Sequence, residues 1–497
     1  MVVLSVAAAA VLGAAGVAGL ANYPPIPKDL TTPVQQRLAF HANNAVAVGW
    51  STYEKQNMSC VEYGFSATAL NKKACANTSV TYPTSRTWSN FVVLTDLAAG
   101  TDYYYKIVSG NSSVGTFKSA LVAGDMEPFN ATVMADLGVY GENGYTVSSK
   151  AKRDLSPAVS PELNHTTIAA LAATIDEYDF VIHPGDFAYA DDWYYNTDNV
   201  LDEKNVYEAI LENFYDQLAS IAANKPYMTG PGNHEAVCVE DGTIDHMCPN
   251  GQKNFTDYMQ RFGRAVPTTF VSQSKNKTAV QLAQKAAGLA LPPMWYSFEY
   301  GMAHIVMFNT ETDFFNAPDT HGSYDLDVGP FGSKKQQINF LEADLASVDR
   351  SVTPWLIVAG HRPWYSTGGY GNQCFACQNA FEEIFYKYGV DAAMFGHVHN
   401  AQRFMPMYNN KTDSAGLNNP KAALPLVMGG PGNIEGLSAI GSNLTGNVFA
   451  YNASQTYARL QFMSKQKLGV QFFRSNDSSL LDSSVLYKEH DVAFVVQ

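Results

Sequence analysis

Positive charge is scarce in this sequence. Its 32 lysines and arginines stand against 46 aspartates and glutamates, a net charge of −14. So acidic a surface excludes nucleic acid and anionic membranes as partners, because basic patches hold both. A small anionic substrate stays compatible if bound cations supply the positive charge. Charge of either sign is sparse too, at 16% of residues, while 46% are hydrophobic. That balance excludes a disordered chain and suits a large buried core. Beyond Ala21 no apolar run reaches the roughly 18 residues of a membrane-spanning helix, so no stable membrane association is expected. Cysteines are few, six in 497 residues, and that length favours two domains over one.

Residues 1–21 carry no charged side chain and end in the small residues Gly19-Leu20-Ala21. The run is short and rich in Ala, Gly and Val, so a cleaved signal peptide is expected rather than an anchor. Two further features agree with secretion. Glycosylation sequons N-x-[ST] occur at Asn57, Asn77, Asn111, Asn130, Asn164, Asn254, Asn276, Asn410, Asn443, Asn452 and Asn476, a density that one chance match does not explain. The cysteines fall in sequence-local pairs, Cys60/Cys75, Cys238/Cys248 and Cys374/Cys377, and an even count in an exported chain implies disulfides. Sequence alone leaves their connectivity open. Cys374-Phe-Ala-Cys377 has redox spacing, but without a thioredoxin-like context a structural bridge is expected.

The chain divides by pattern. Residues 22–125 are β-like, with aromatic and β-branched runs at 45–50, 91–95 and 103–108 between Gly, Asn and Ser clusters. Leu97-Ala-Ala-Gly-Thr101-Asp-Tyr103-Tyr-Tyr105 resembles part of a fibronectin type III-like sandwich, with the Leu and alternate tyrosines turned inward. From 126 to 497 apolar strand-like runs alternate with helical patterns. Strands are expected at 132–135, 180–183, 227–229, 304–308, 355–358 and 392–395. A helix opening at Ser160-Pro161-Glu162 and helices at 203–222, 334–348 and 379–388 lie between them. Such alternation predicts α/β layers with buried strands. Residues 236–293 break the rhythm and read as a long loop-rich insertion of the kind that builds a rim or lid.

Five strand-like runs end in potential metal ligands. They lead into Asp136-Leu-Gly138, Gly185-Asp186-Phe-Ala-Tyr189, Gly232-Asn233-His234-Glu235, Gly360-His361 and Gly396-His397-Val-His399. Any one of these is weak, since Asp and Gly mark ordinary turns and a strand-end His or Tyr is usually core. Five in order, each after a buried-strand pattern, are another matter. Ligands collect beyond the carboxyl ends of strands in α/β sheets, so the five loops should converge. Two Asp, one Tyr, one Asn and three His suffice for two ions sharing a carboxylate. Ions about 3.5–4 Å apart clamp a phosphoryl group and acidify water.

The order D-x-G, G-D-x-x-Y, G-N-H-E, x-x-G-H, G-H-x-H resembles the five-block signature of purple acid phosphatases, over residues 130–400. The resemblance implies a calcineurin-like metallophosphoesterase β-sandwich flanked by helices, behind an N-terminal all-β fibronectin type III-like domain, as in long plant and fungal members. Tyr189 is its most specific residue, because the wider superfamily lacks a Tyr three places after that Asp. By resemblance Asp136, Asp186, Tyr189 and His399 hold Fe(III), whose bond to the Tyr189 phenolate gives the family its colour. Asp186 bridges to a divalent ion, Zn(II), Mn(II) or Fe(II), held with Asn233, His361 and His397. His234 faces the substrate as catalytic acid. The implied substrates are small phosphate monoesters, phytate among them. The alternative is a phosphodiesterase or nucleotide pyrophosphatase of the same superfamily. A non-enzymatic module is disfavoured because none of the seven ligands is missing.

Two departures stand out. Some plant members carry one or two histidines near the phosphate about ten residues after the x-x-G-H His, whereas here the chain reads His361-Arg-Pro-Trp-Tyr365-Ser-Thr-Gly-Gly-Tyr370. Arg362, Tyr365 or His321 are candidates to replace them in binding substrate. The second is Asn400-Ala-Gln402-Arg403, where many relatives have Glu before the Arg. His183, at a strand end, is expected to brace the site or the core. His41, His165, His246, His304 and His490 carry no spacing signal.

Overall fold

Alternation of buried and exposed residues builds the first domain. In Asp102–Ile107 the buried side chains are Tyr103, Tyr105 and Ile107, one face of a strand. Seven strands form two antiparallel sheets. Val34–Ala42, Ala45–Thr52 and Trp88–Leu94 make one; Lys72–Ala76, Ser59–Gly64, Asp102–Ile107 and Gly115–Lys118 make the other. Leu97 is buried between them, and the Tyr103 hydroxyl accepts the Ala98 N–H at 2.9 Å, closing the loop that precedes its strand. The architecture is the all-β sandwich expected.

The computed structural model describes residues 21–139, 166–195, 202–240, 248–263, 265–267, 270–319, 328–368, 373–442, 445–490 and 492–494. The expected signal peptide, the helix opening at Ser160, Asn164, His165, His246, His321 and Asn443 lie outside them, Ala21 alone of the leader being described.

The second domain is a sandwich of two mixed sheets. In the six-stranded sheet Tyr227–Gly230, Phe180–Pro184 and Phe129–Val133 run parallel, and Thr456–Ser464, Lys467–Arg474 and Leu480–Tyr487 extend it antiparallel. In the seven-stranded sheet Ala303–Met307, Trp355–Ala359, Ala392–Phe395 and Leu424–Met428 run parallel. Tyr296–Tyr300 pairs antiparallel on one side and Ala401–Phe404 on the other, and Asn447–Tyr451 pairs antiparallel with Ala401–Phe404 at the edge. The parallel strands are buried on both faces: Val181, Val306 and Val358 pack with residues of helices Glu203–Ala222 and Gln336–Ser347, while Ile182, Ile305 and Ile357 pack between the two sheets. The insertion at 236–293 differs from the loop-rich reading, for it holds helices Thr256–Phe262 and Lys277–Ala287. Asn276 caps the second through its Oδ1, accepting from Thr278 N–H at 2.8 Å and Ala279 N–H at 3.3 Å. Its sequon asparagine was thus also a helix start.

One apolar core joins the domains. Phe40 of the first packs on Phe180, Phe298 and Tyr300 of the second, with ring centroids 5.4–6.1 Å apart. Each such fully buried ring contributes about 1.5–3 kcal/mol. Tyr105 adds a polar tie, donating to the Ala223 carbonyl at the end of the Glu203–Ala222 helix at 2.7 Å.

All three cysteine pairs form disulfides, Cys60–Cys75, Cys238–Cys248 and Cys374–Cys377. Of the nine described sequon asparagines, Asn57, Asn77, Asn111, Asn254, Asn410 and Asn476 are exposed, whereas Asn130, Asn276 and Asn452 are half-buried. Asn130 and Asn452 donate their side-chain amides to the Glu177 and Ser438 carbonyls.

Candidate metal centre

Five loops leave the carboxyl ends of strands Phe129–Val133, Phe180–Pro184, Tyr227–Gly230, Trp355–Ala359 and Ala392–Phe395, three from one sheet and two from the other. They meet where the sheets face each other, and the turns are tight. Asp136, Asp186, Tyr189 and His397 all have positive φ, at 61°, 58°, 55° and 65°. A non-glycine residue there costs of order 1–3 kcal/mol and persists only where its surroundings over-determine it. Four of the seven expected ligands carry this strain. Glycine permits the close approach: a Cβ on Gly396 would collide with Asp136 Oδ2, and one on Gly232 with Asp186 Oδ1.

The donor atoms form two overlapping groups. Atoms of Asp136, Asp186 and His399 lie within 4.8 Å of one another, as do those of Asp186, His361 and His397. Asp186 belongs to both. Tyr189 joins the first group, its hydroxyl 3.1 Å from Asp136 Oδ1, 3.2 Å from Asp186 Oδ2 and 2.8 Å from His399 Nε2. Asn233 joins the second, its Oδ1 3.1 Å from His361 Nε2 and 3.0 Å from His397 Nδ1.

Neighbouring backbone selects which nitrogen each imidazole offers. His361 Nδ1 lies 3.0 Å from the Pro184 carbonyl and His399 Nδ1 lies 3.1 Å from that of Gly436. A carbonyl only accepts, so both Nδ1 atoms carry the proton and both Nε2 lone pairs face the cluster. His183, fully buried, points Nε2 at the Asp186 carbonyl at 3.2 Å and so braces that strained residue.

These residues fit a pair of metal ions. Asp136 and Asp186 are fully buried, and among the described residues neither pairs with a lysine or arginine. Buried carboxylates need a compensating charge. One phenol proton on Tyr189 cannot serve its three neighbours, whose lone pairs converge instead on one point.

His234 sits beside the cluster. Its Nδ1 is 2.9 Å from Asp191 Oδ2, its ring packs on Tyr189 at 4.0 Å, and its Nε2 is left for other partners. Burial disfavours the imidazolium, but the Asp191, Asp186 and Glu240 carboxylates outweigh burial and raise its pKa well above the ordinary value. Of the candidates for binding substrate, Arg362 reaches the cluster, with Nη1 3.2 Å from His397 Nε2. Glu311 at 2.6 Å and Asp319 at 3.6 Å hold its guanidinium. The Tyr365 hydroxyl is engaged elsewhere, with Glu382, Gln378 and the Asn410 N–H. Arg403 pairs with Asp482 at 2.7 and 2.9 Å, tying its strand to Leu480–Tyr487.

Sequence reading gave no role to four acidic residues. Asp191 stands two places after Tyr189, a spacing that could have flagged it. Glu235 accepts the N–H groups of Gly232, Asp186 and Phe187 at 2.7–3.0 Å and so ties two ligand loops together. Glu311 and Glu240 carry no signal in sequence.

Sheets of this topology with ligands at these strand ends define a calcineurin-like metallophosphoesterase. Residues 129–401 match the calcineurin-like phosphoesterase family, 33–119 the purple acid phosphatase N-terminal domain, and 422–483 the iron/zinc purple acid phosphatase-like protein C family. The chain is 58% identical to acid phosphatase A of Cryphonectria parasitica, covering 96% of each chain. It is 28% identical to an acid phosphatase of Aspergillus ficuum, covering 94% of this chain and 86% of that one. The fold matches the solved purple acid phosphatase PPD1 from yellow lupin seeds at TM-score 0.66 and 21% identity, over 93% of this chain and 75% of that one. The chain belongs to the purple acid phosphatase family, and it is a metal-dependent acid phosphatase.

Proposed function

We propose that the chain hydrolyses phosphate monoesters at an Fe(III)–M(II) pair, M being Zn, Mn or Fe, and that it does so outside the cell. The observation that carries this reading is the sharing of Asp186 by two ligand groups. Asp136, Asp186, Tyr189 and His399, with a phenolate and two carboxylates, suit a trivalent ion; Asp186, Asn233, His361 and His397 suit a divalent one. Such a pair supplies positive charge for the phosphoryl group and acidifies water.

The rest falls to side chains. His234, oriented by Asp191, donates a proton to the leaving oxygen. Arg362, fixed by Glu311 and Asp319, is placed to take a phosphoryl oxygen beside His397. Phytate belongs to the same reading as one monoester among others. Three disulfides and six exposed sequon asparagines support export. Among the described residues no helix is long and apolar enough to cross a membrane.

The test is metal content of the purified chain together with turnover of a panel of aryl and alkyl monoesters, phytate and diesters. Two ions per chain, iron among them, and monoesters turned over fastest are expected. Tyr189→Phe should abolish the visible absorption band and leave the fold intact. A colourless wild type, fully metallated and oxidised, overturns the Tyr189–Fe(III) assignment.

A further inference from the structure

An asparagine that binds a metal through its side chain must present oxygen, not nitrogen, and the two ends of the amide are almost the same shape. Something must therefore take the nitrogen. In this chain it is Glu240. Asn233 Nδ2 donates to Glu240 Oε1 at 2.7 Å while Oδ1 faces His361 Nε2 and His397 Nδ1. Turning the amide over would set its oxygen against a carboxylate oxygen at that distance, two acceptors with no proton between them. The other carboxylate oxygen of Glu240 stands 3.7 Å from His234 Nε2.

Glu240 is itself held in place. Two residues before it Cys238 is bridged to Cys248, and the Cys238 carbonyl accepts the Trp193 indole N–H at 2.7 Å. Just upstream, the Ala236 carbonyl accepts the Phe255 N–H at 3.0 Å, and Val237 pairs with Lys253. The segment carrying Glu240 is thus held by four ties, three of them to later residues of the insertion that interrupts the α/β rhythm.

We propose that Glu240 is a positioning residue for the divalent ion: it fixes the Asn233 amide with its oxygen toward His361 and His397. The proposal rests on the reading of Asn233 as a ligand. It gives the insertion at 236–293 a task at the metal centre that the five ligand blocks do not contain. Loss of a group that orients a ligand typically weakens metal affinity by about 10–100-fold.

The test uses the full-length metallated protein, dialysed against graded chelator and followed by metal content and the visible band. Glu240→Ala should lose the divalent ion at roughly 10–100-fold lower chelator than wild type, with iron and the band retained. Glu240→Gln, whose side-chain carbonyl still accepts from Asn233, should stay within a few-fold of wild type. Asn233→Ala serves as the reference for complete loss of the amide ligand. Equal retention of the divalent ion in Glu240→Ala and wild type overturns the proposal. Failure of Glu240→Gln to restore binding also overturns it, since charge rather than amide orientation would then be at work. Simultaneous loss of iron and the divalent ion does so too. A wild type that never holds more than one ion per chain overturns the two-metal reading itself, and this inference falls with it.

Discussion

Two buried polar clusters in this molecule solve the same problem differently. At the metal centre Asp136 and Asp186 lie fully buried among imidazoles, an amide and a phenol. At the contact between the domains Glu208 and Asp257 are nearly as deep, but here Arg261 donates to Asp257 at 2.6 Å and Gln35 at 2.7 Å. Arg37 in turn donates to the Arg261 carbonyl at 2.9 Å. The domain contact carries its own countercharge. The metal centre imports it.

Proton counting sharpens the contrast. Tyr82 has one hydroxyl proton yet lies 2.8 Å from both Glu208 Oε2 and Asp257 Oδ1. One carboxyl must bring the second proton. Asp257 is paired with Arg261, so the proton belongs on Glu208, whose pKa burial pushes up to about 7. Thr84 and Gln252 also contact Glu208, and Tyr215 donates to Asp257 at 2.9 Å. A neutral acid completes one cluster; bound cations would complete the other.

Breaking the metal centre at its shared ligand should have the largest effect. Asp186→Ala should lose both metals and activity by orders of magnitude, with secondary structure little changed, by metal analysis and circular dichroism. Retention of two ions would remove Asp186 from the bridging position.

Removing His234 should be milder and of another kind. His234→Ala should keep both metals yet lose kcat by about 10²–10⁴-fold. Alkyl phosphates, whose alkoxides leave poorly, should suffer more than aryl phosphates. Equal losses with metals retained would mean that His234 binds phosphate without donating a proton, and metal loss would place it among the ligands.

The smallest effect belongs to the domain contact and is one of stability. Glu208 holds its proton in the folded chain up to about pH 7, but in the unfolded chain only up to about 4.5. Its contribution is complete below pH 4.5 and falls as pH rises to about 7, on the order of 3 kcal/mol in all. Glu208→Gln, which cannot ionise, should flatten that part of the unfolding curve, read as the wild-type minus variant difference in denaturant midpoint at pH 4.5 and 7. An unchanged difference would mean that Glu208 is not the proton carrier.

The clusters also differ in how legible they were. The five ligand blocks could be read because a ligand loop has a local grammar: buried strand, tight turn, glycine beside the donor. The order of the five blocks suggested the family, with Tyr189 its most specific residue. The first domain was readable through its alternating tyrosines. In the insertion, by contrast, Asn276 was read as a sequon while it also starts a helix, and Glu240 stood in a stretch without period or motif. The domain contact gathers Gln35, Tyr82, Glu208, Asp257 and Arg261 from both domains, and no spacing relates them.

Local sequence thus determined which residues could be ligands and the order of the strands that carry them, because backbone turns and strand burial depend on near neighbours. Only the tertiary structure decided which nitrogen each imidazole offers, that Asp191 and not a nearer group orients His234, that Arg362 and not Tyr365 reaches the cluster, and that Glu240 takes the Asn233 amide. Each of those depends on a carbonyl, carboxylate or imidazole that another loop brings within 4 Å. Hydrogen bonds and ion pairs act over that distance whatever the separation along the chain.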